Sequence, residues 1–322
     1  LNIKYMANKK HGKAGLEIYF FMLLGSFFLL LLMLISSNKS VFLQNKGQIK
    51  ASVTTQFLSR TGNTLLLYNA PFRFTGINAY SSATYWGKNF GCGSRIDNID
   101  GIFTSLKPDS IVRMWAFQGS MAVNPTTNQL DWTGLDRALT SAQSAGVRVI
   151  LSLGSQSGVC DDGHWKGKAW YDSDYKDKVF KEAGYGYPIM PYITYVRTIV
   201  TRYKDNPTIA MWELINEPES SDCTNGNKGR ACYSSLVCPD EKAAATSLRL
   251  FHDDMGGLVK SIDSNHLIES GVLGSGQCGT SGESYRYLRE SPYIDVGSYN
   301  DFHADNDVMP GDQWNGLRVR LN

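Results

Sequence analysis

The sequence lacks the large excess of charge of one sign that marks proteins whose partners are polyanions. Its 322 residues carry a net charge of +2, so no nucleic-acid partner is expected. It also lacks a glycine-rich phosphate turn after its first predicted strand, where Thr75-Gly76-Ile77-Asn78 stands instead. This absence disfavours a nucleotide-binding, doubly wound sheet.

The cysteines lack the close C-x2-C pair that is typical of structural zinc sites. A zinc site at Cys223, Cys232 and Cys238 is therefore a weaker alternative to disulfides in loops. An even number of cysteines in an exported chain favours disulfides, and six cysteines allow fifteen pairings between which the sequence does not choose. The six are Cys92, Cys160, Cys223, Cys232, Cys238 and Cys278.

The N-terminal part predicts export. Residues 1–17 are basic, and residues 18–36 form an apolar segment that is long enough to cross a bilayer. We interpret 18–36 as an uncleaved signal-anchor, with a cleaved signal peptide as the alternative. In both cases the basic side stays in the cytoplasm, and the rest is extracellular, secreted or anchored at the cell surface. Residues 37–53 are polar and lack a period, which is typical of a linker.

Residues 54–322 predict a partial α/β barrel. A hairpin over Gln56–Leu67, with Arg60-Thr61-Gly62-Asn63 at its turn, is expected to close the bottom of the barrel. Apolar strands then alternate with amphipathic helices, which favours a parallel sheet with right-handed crossovers. A (β/α)8 TIM barrel needs eight strands, but about six are found, so we expect an incomplete barrel and a chain that is a fragment. The strands are predicted at residues 72–78, 110–116, 147–153, 209–214, 267–271 and 295–299.

The fourth predicted strand carries the strongest chemical signal. It runs from Ile209 to Leu214 and leads into Ile215-Asn216-Glu217-Pro218, where the proline stops the strand. Barrels keep their chemistry at the carboxyl ends of strands. An isolated Asn-Glu-Pro is more often an ordinary surface loop, so the motif gains weight from the surrounding alternation. A second signal is Arg113, whose place inside an apolar run requires an anion or several acceptors as partners.

The segment from Trp212 to Pro218, Trp-Glu-Leu-Ile-Asn-Glu-Pro, resembles the strand-four signature of glycoside hydrolase family 5 and its clan. The resemblance implies that Glu217 is the acid/base and that Asn216 binds the sugar 2-hydroxyl. It further implies that Arg113 braces the nucleophile, a glutamate at the end of strand seven that is expected beyond residue 322. Glu269 is the alternative second carboxylate, although its place in an apolar run favours a buried structural role.

Further residues are expected at the carboxyl-end rim of the barrel. Aromatic faces at such a rim can stack on sugar rings, although each of these residues could equally pack in the core. In the family, strand six often ends in His-x-Tyr, whereas here Asn300 and Phe302 take those places and the nearest imidazole is displaced in register. The residues predicted to bind substrate are Asn78, Tyr80, Trp86, Trp115, Gln156, Asn300 and His303.

The resemblance implies a retaining hydrolase of β-1,4-linked polysaccharide that works by double displacement. The stretch Gly76-Ile77-Asn78-Ala79-Tyr80 is similar to the mannanase branch, so mannan is favoured over cellulose or another β-glucan. No metal or organic cofactor is implied, because two carboxylates perform the chemistry. We expect a monomer that is inactive without the missing strands. The alternative is a catalytically inactive, carbohydrate-binding barrel at the cell surface.

Overall fold

The computed structural model describes residues 56–83, 98–124, 126–182, 188–226, 229–273 and 277–300. The predicted basic region, membrane segment and linker lie outside the described residues. Within the described part, no helix combines the length and the apolar character needed to cross a membrane.

The strands of the described residues fall into four sheets. In chain order they are β1 Ser59–Thr61, β2 Thr64–Leu67, β3 Ala70–Pro71, β4 Gly76–Asn78, β5 Ile111–Trp115, β6 Val123–Asn124, β7 Gln129–Leu130, β8 Arg148–Ser152, β9 Ile209–Glu213, β10 Asp222–Cys223, β11 Leu236–Val237 and β12 Leu267–Glu269. The central sheet has five strands in the order β12-β9-β8-β5-β4, and every neighbouring pair is parallel. This arrangement confirms the predicted parallel α/β sheet.

Helices connect the strands of the central sheet. The α-helices of the described residues are α1 Ile99–Thr104, α2 Thr133–Ala145, α3 Tyr175–Asp177, α4 Tyr192–Tyr203, α5 Glu241–Ile262 and α6 Glu283–Arg289. The longest, α5, begins after Asp240, whose carboxylate accepts hydrogen bonds from the backbone N–H groups of Lys242 and Ala243 at 2.9 and 3.1 Å. Such a cap satisfies backbone donors that have no partner within the helix. The apolar stripes predicted for α2, α4 and α5 face the core.

The two central strands are buried along their whole length. All five residues of β8 and all five of β9 are buried, because their neighbouring strands and the helices cover them. This burial explains why both strands are continuous apolar runs without polar alternation. It also means that a charged residue in either strand needs a partner of opposite charge or several hydrogen-bond partners.

The hairpin of β1 and β2 turns at Gly62-Asn63, as predicted. Leu58 and Leu67 belong to one apolar cluster with the first residues of the central strands, including Ile111 and Leu267. The hairpin therefore covers the amino ends of these strands, which confirms the predicted closure of the barrel bottom. Arg148 fixes it further, since its Nη1 donates to the carbonyl oxygens of Gln56 and Pro207 at 2.7 and 2.8 Å.

Several strand boundaries differ from the prediction. The first predicted strand, 72–78, is reduced to Gly76–Asn78, and the fifth, 267–271, ends at Glu269 because Gly271 has a φ of 70°. The predicted sixth strand does not form a continuous ladder in the described residues. It is represented by isolated parallel bridges from Val296 to Glu269 and from Asn300 to Leu273.

Disulfides link the loops at the carboxyl ends of the strands. Cys223 pairs with Cys232 and Cys238 pairs with Cys278, with Cα atoms 5.5 and 5.4 Å apart. Cys160 is also disulfide-bonded. The three cysteines of the alternative zinc site all form disulfides, so the alternative prediction of a zinc site is wrong. Cys238 and Cys278 lie close to Glu241, but their disulfide leaves no thiolate there to bind a metal.

Candidate active site

Polar side chains form a layer inside the parallel sheet near its carboxyl edge. The strand register places Asn78 of β4 beside Arg113 of β5, and Glu213 of β9 beside Glu269 of β12. Paired residues of neighbouring strands point to the same face of a sheet. Four separate apolar runs of the sequence therefore deliver one cluster of charged and amide groups.

Arg113 forms a two-pronged ion pair with Glu213. Its Nε donates to Oε2 at 2.6 Å and its Nη2 to Oε1 at 2.5 Å. Ser152 adds a hydrogen bond from Oγ to Oε1 of Glu213 at 2.7 Å. Burial disfavours the charged form of Glu213, but Arg113 outweighs it and holds the pKa of this carboxyl below its usual value. The requirement for a buried anion beside Arg113 is thereby met.

Asn216 follows β9 and is fixed from three sides. Its backbone N–H donates to the carbonyl of Gly154 at 2.8 Å, and its own carbonyl accepts from the N–H of Gln156 at 3.2 Å. Its side-chain Oδ1 accepts from Nη2 of Arg113 at 2.6 Å. The orientation of the Asn216 amide is consequently set by Arg113, which joins the two residues that the sequence singled out.

Glu217 lies in a left-handed backbone conformation with a φ of 57°. This conformation is uncommon outside glycine and is retained where the surroundings enforce it. Here the backbone N–H of Glu217 donates to the carbonyl of Gly271 at 2.8 Å. The turn redirects the chain at the end of β9 and presents a half-buried carboxyl at the rim.

The carboxyl group of Glu217 has a raised pKa, and burial is the largest cause. Asn300 donates from Nδ2 to Oε1 of Glu217 at 3.3 Å, which favours the ionised form and limits the rise. Asn300 was predicted to contact substrate, and the structure brings it to Glu217. A carboxyl with a raised pKa retains its proton to higher pH, as a general acid requires.

The aromatic residues expected at the rim pack mainly on one another. Tyr80 and Trp115 are half-buried, with ring centroids 4.4 Å apart, and Trp115 stacks on the buried Phe117 at 4.9 Å. Asn78 is exposed, and its Oδ1 accepts from Nη1 of Arg113 at 3.4 Å. Asn78 thus contacts the charged cluster directly, whereas Tyr80 and Trp115 pack on other aromatic rings.

Gln156 is buried, although it was predicted to bind sugar. Its Nε2 donates to the carbonyl of Lys166 at 2.8 Å. Its Oε1 accepts from the hydroxyl of Tyr171 and from the backbone N–H of Glu219 at 3.2 Å. Because protein groups occupy both ends of the amide, this placement favours a role in holding the loop after Glu217. Trp86 and His303 lie outside the described residues.

Glu213 was not singled out from the sequence, although a signal was present. Arg113 sits in one apolar strand and requires an anion, and Glu213 and Glu269 are carboxyls that end other apolar strands of the same sheet. Glu219 is a second residue that was missed. It lies two positions after Glu217, and burial raises the pKa of its carboxyl to about 7.

Comparisons with known proteins agree with this geometry. The protein-family model described as cellulase (glycosyl hydrolase family 5) matches residues 68–283. Mannan endo-1,4-beta-mannosidase 1 of Arabidopsis thaliana is 28% identical over 255 residues, which cover 72% of this chain and 54% of that protein. Putative mannan endo-1,4-beta-mannosidase 9 of Oryza sativa subsp. japonica is 28% identical over 280 residues, which cover 82% of this chain and 61% of that protein. The chain thus spans between half and two thirds of the length of these curated relatives.

Among solved structures, the chain is similar to an endo-1,4-beta-mannanase from Rhizomucor miehei. The TM-score is 0.50 at 22% sequence identity, and the match covers 76% of this chain and 71% of that one. At this identity the likeness bears on the fold alone. Together with the family match, it confirms the predicted (β/α)8 barrel as the type of fold to which the parallel sheet belongs.

Proposed function

The chain belongs to glycoside hydrolase family 5, and we propose that it takes part in hydrolysing the backbone of a β-1,4-linked polysaccharide. Mannan is the favoured substrate, because the curated relatives reported above carry that activity in their names. The proposal rests chiefly on one observation. Asn216 and Glu217 stand together at the carboxyl end of β9, and Arg113 fixes the first of them.

In this proposal Glu217 is the general acid that protonates the glycosidic oxygen of the leaving group. The raised pKa supports this role, since the proton must be present when the sugar binds. As pH rises through this pKa, Glu217 loses the proton and the acid step fails. The hydrogen bond from Asn300 orients the carboxyl and keeps the pKa rise limited, so that the same group can accept a proton later in the cycle.

Asn216 is assigned to the sugar 2-hydroxyl. Arg113 occupies its amide oxygen at 2.6 Å, so the amide nitrogen is the end that remains for other partners. This nitrogen carries two N–H donors, so that one can stabilise the ionised carboxyl of Glu217 and the other can serve the hydroxyl. A hydrogen bond to the 2-hydroxyl strengthens in the transition state of glycoside hydrolysis and contributes to its stabilisation.

Double displacement also needs a carboxylate nucleophile about 5–5.5 Å from the acid. Glu213 is fully buried and both its oxygens bond to Arg113, while Glu269 is its register partner on β12, with 6% of its surface exposed. Neither is placed to attack a sugar. We therefore propose that the nucleophile comes from outside the described residues and that Arg113 also supports it. The disulfides favour an oxidising, extracellular location.

The acid role of Glu217 predicts a dependence on the leaving group. In the full-length protein, Glu217→Gln should lower turnover of mannan or a manno-oligosaccharide by about 10²–10⁴-fold, the usual contribution of general acid catalysis. An aryl mannoside with an activated phenol should lose far less in its first step, because this leaving group departs without a proton. The measurement is kcat/KM for both substrates.

Glu290→Gln, a change of an exposed carboxyl, serves as the matched control and should behave as the wild type. Equal losses on both substrates in Glu217→Gln would reject Glu217 as the general acid. If the wild type releases no reducing sugar but still retains mannan in a pull-down, the inactive carbohydrate-binding barrel replaces the hydrolase.

A further inference from the structure

Two buried carboxyl groups meet in the interior of the sheet. Glu213 and Glu269 are register partners on the neighbouring strands β9 and β12, and 0% and 6% of their surfaces are exposed. The charge of Glu213 acts on the carboxyl of Glu269. Two ionised carboxylates repel each other and have no proton to share, so a hydrogen bond between this pair requires that one of the two is protonated.

The charge balance leads to the same conclusion. Arg113 is the cation that contacts Glu213 among the described residues, through the two short bonds given above. Two ionised carboxylates beside a single guanidinium would leave one buried negative charge without compensation, which is strongly unfavourable. A single proton on the pair makes its charge equal and opposite to that of Arg113.

The surroundings decide which member holds the proton. Glu213 faces Arg113 and the hydroxyl of Ser152, and both stabilise its ionised form. Glu269 instead faces the negative charge of Glu213, and burial is the largest cause that raises the pKa of Glu269 well above its usual value. Within the part of the chain that the structure describes, the further charged group that acts on Arg113 is Glu217, and the charge of Glu213 raises the pKa of Glu217.

We propose that Glu269 carries the proton and donates a hydrogen bond to Glu213, so that the two act as one monovalent anion. This anion holds Arg113 at the position from which it orients the amide of Asn216. Glu269 and Glu213 are thus positioning residues that act on the site through Arg113. The importance of the Asn216 orientation for catalysis rests on the proposed function, whereas the shared proton does not.

The proposal predicts a strongly non-additive pair of substitutions. Glu269→Gln should have a small effect on stability, because the amide N–H replaces the carboxyl proton as the donor to Glu213. Glu213→Gln should be tolerated moderately, because Glu269 can then ionise and neutralise Arg113. The double variant removes both carboxyls that neutralise Arg113 among the described residues. Urea unfolding should show a rise in its unfolding equilibrium constant that exceeds the product of the two single rises by about tenfold or more.

Infrared spectroscopy tests the proton without requiring the double variant to fold. At alkaline pH, Asp161 and Glu219, with pKa values of about 7, are ionised. A difference spectrum between the wild type and Glu269→Gln should then contain the C=O stretch of one protonated carboxyl. The same band should disappear in Glu213→Gln, whereas Glu290→Gln, which changes an exposed carboxyl, should leave it in place.

The positioning role has a separate readout. The side-chain NH2 signals of Asn216, assigned in the NMR spectrum with Asn216→Asp, should remain in Glu269→Gln and should shift in Glu213→Gln. A difference spectrum without a carboxyl band, or additive losses of stability in the double variant, would overturn the shared proton. Unchanged Asn216 signals in Glu213→Gln would overturn the positioning role. Neither measurement requires turnover, so a failure of the proposed hydrolase activity would be recognised independently.

Discussion

Glu219 shows how closely the loop after Glu217 is held. Its backbone N–H donates to Oε1 of Gln156 at 3.2 Å. With 7% of its surface exposed, the carboxyl has a pKa of about 7, chiefly because of burial. Folding therefore changes the proton affinity of this group within the range of pH in which extracellular enzymes work.

The pKa of Glu219 predicts a pH-dependent stability. Between the ordinary pKa of 4.5 and about 7, the unfolded chain is ionised at this position while the folded chain keeps the proton. The folded state then binds more protons, so the free energy of unfolding contributed here is complete below 4.5 and falls as pH rises to about 7. The total loss is on the order of 3 kcal/mol. Urea unfolding across this window should show that Glu219→Gln removes this part of the slope.

Glu290→Gln is the control for that experiment, since its exposed carboxyl should leave the slope as in the wild type. If the free energies of unfolding of Glu219→Gln and the wild type fell with the same slope against pH, Glu219 would not hold its proton in the folded state.

The residues of the candidate site could be singled out from the sequence to different degrees. Asn216 and Glu217 could be found because a proline stops an apolar strand directly after them, and Arg113 because an apolar run rarely contains a guanidinium. The partner of Arg113 could not be chosen from the sequence. That choice depends on the register between β5, β8 and β9, which brings Glu213 and not the neighbouring Glu217 to the guanidinium.

At the level of elements, the periodicity of apolar residues predicted those strands and helices whose pattern is set by burial. The strands β8 and β9 and the helices α2, α4 and α5 were recognisable because packing on the core dictates their apolar pattern. The predicted strand at 72–78 was too long. Phe72 donates its N–H to Leu65 next to the hairpin, and Phe74 is largely exposed, so neither extends β4. Such boundaries depend on hydrogen-bond partners that are distant in sequence.

The end of β12 supports the end of β9 through Gly271. Its carbonyl accepts from Glu217, and its φ is 70°. A Cβ at this position would lie 2.0 Å from the carbonyl oxygen of Ile215. Glycine is therefore required both for the backbone conformation and for the close approach of the two strand ends.

Gly271→Ala should destabilise the protein more than the backbone conformation alone explains. Gly62→Ala is the matched control, because Gly62 has a φ of 54° but open space at its Cβ position. The control should cost about 1–2 kcal/mol, the usual penalty of an alanine in the left-handed region. Gly271→Ala should exceed it by about 1–3 kcal/mol, because the chain must shift to relieve an overpacked contact. Equal urea midpoints for the two variants would contradict this account.

At the scale of the whole molecule, covalent links join loops that the sheet leaves far apart in sequence. The disulfide between Cys238 and Cys278 joins the connection after β9 to the connection after β12, across 40 positions. The same connections are joined by a hydrogen bond from the N–H of Ser220 to the carbonyl of Cys278 at 2.9 Å. Glu241 at the start of α5 adds another hydrogen bond, since its carboxylate accepts from the N–H of Gly279 at 2.8 Å. These links hold the loop that follows Glu217.

The two disulfides identified by their pairs should differ in their contribution to stability. Chain-entropy arguments give about 4 kcal/mol for closing a loop of the length between Cys238 and Cys278, and about 2.5 kcal/mol for the shorter loop between Cys223 and Cys232. The latter pair is separated by 9 positions. When each pair is replaced by serines and urea unfolding is measured at one pH, the Cys238/Cys278 variant should therefore have the lower free energy of unfolding. A larger loss in the Cys223/Cys232 variant would show that local packing in the short loop, rather than closure of the long one, dominates the stability of this rim.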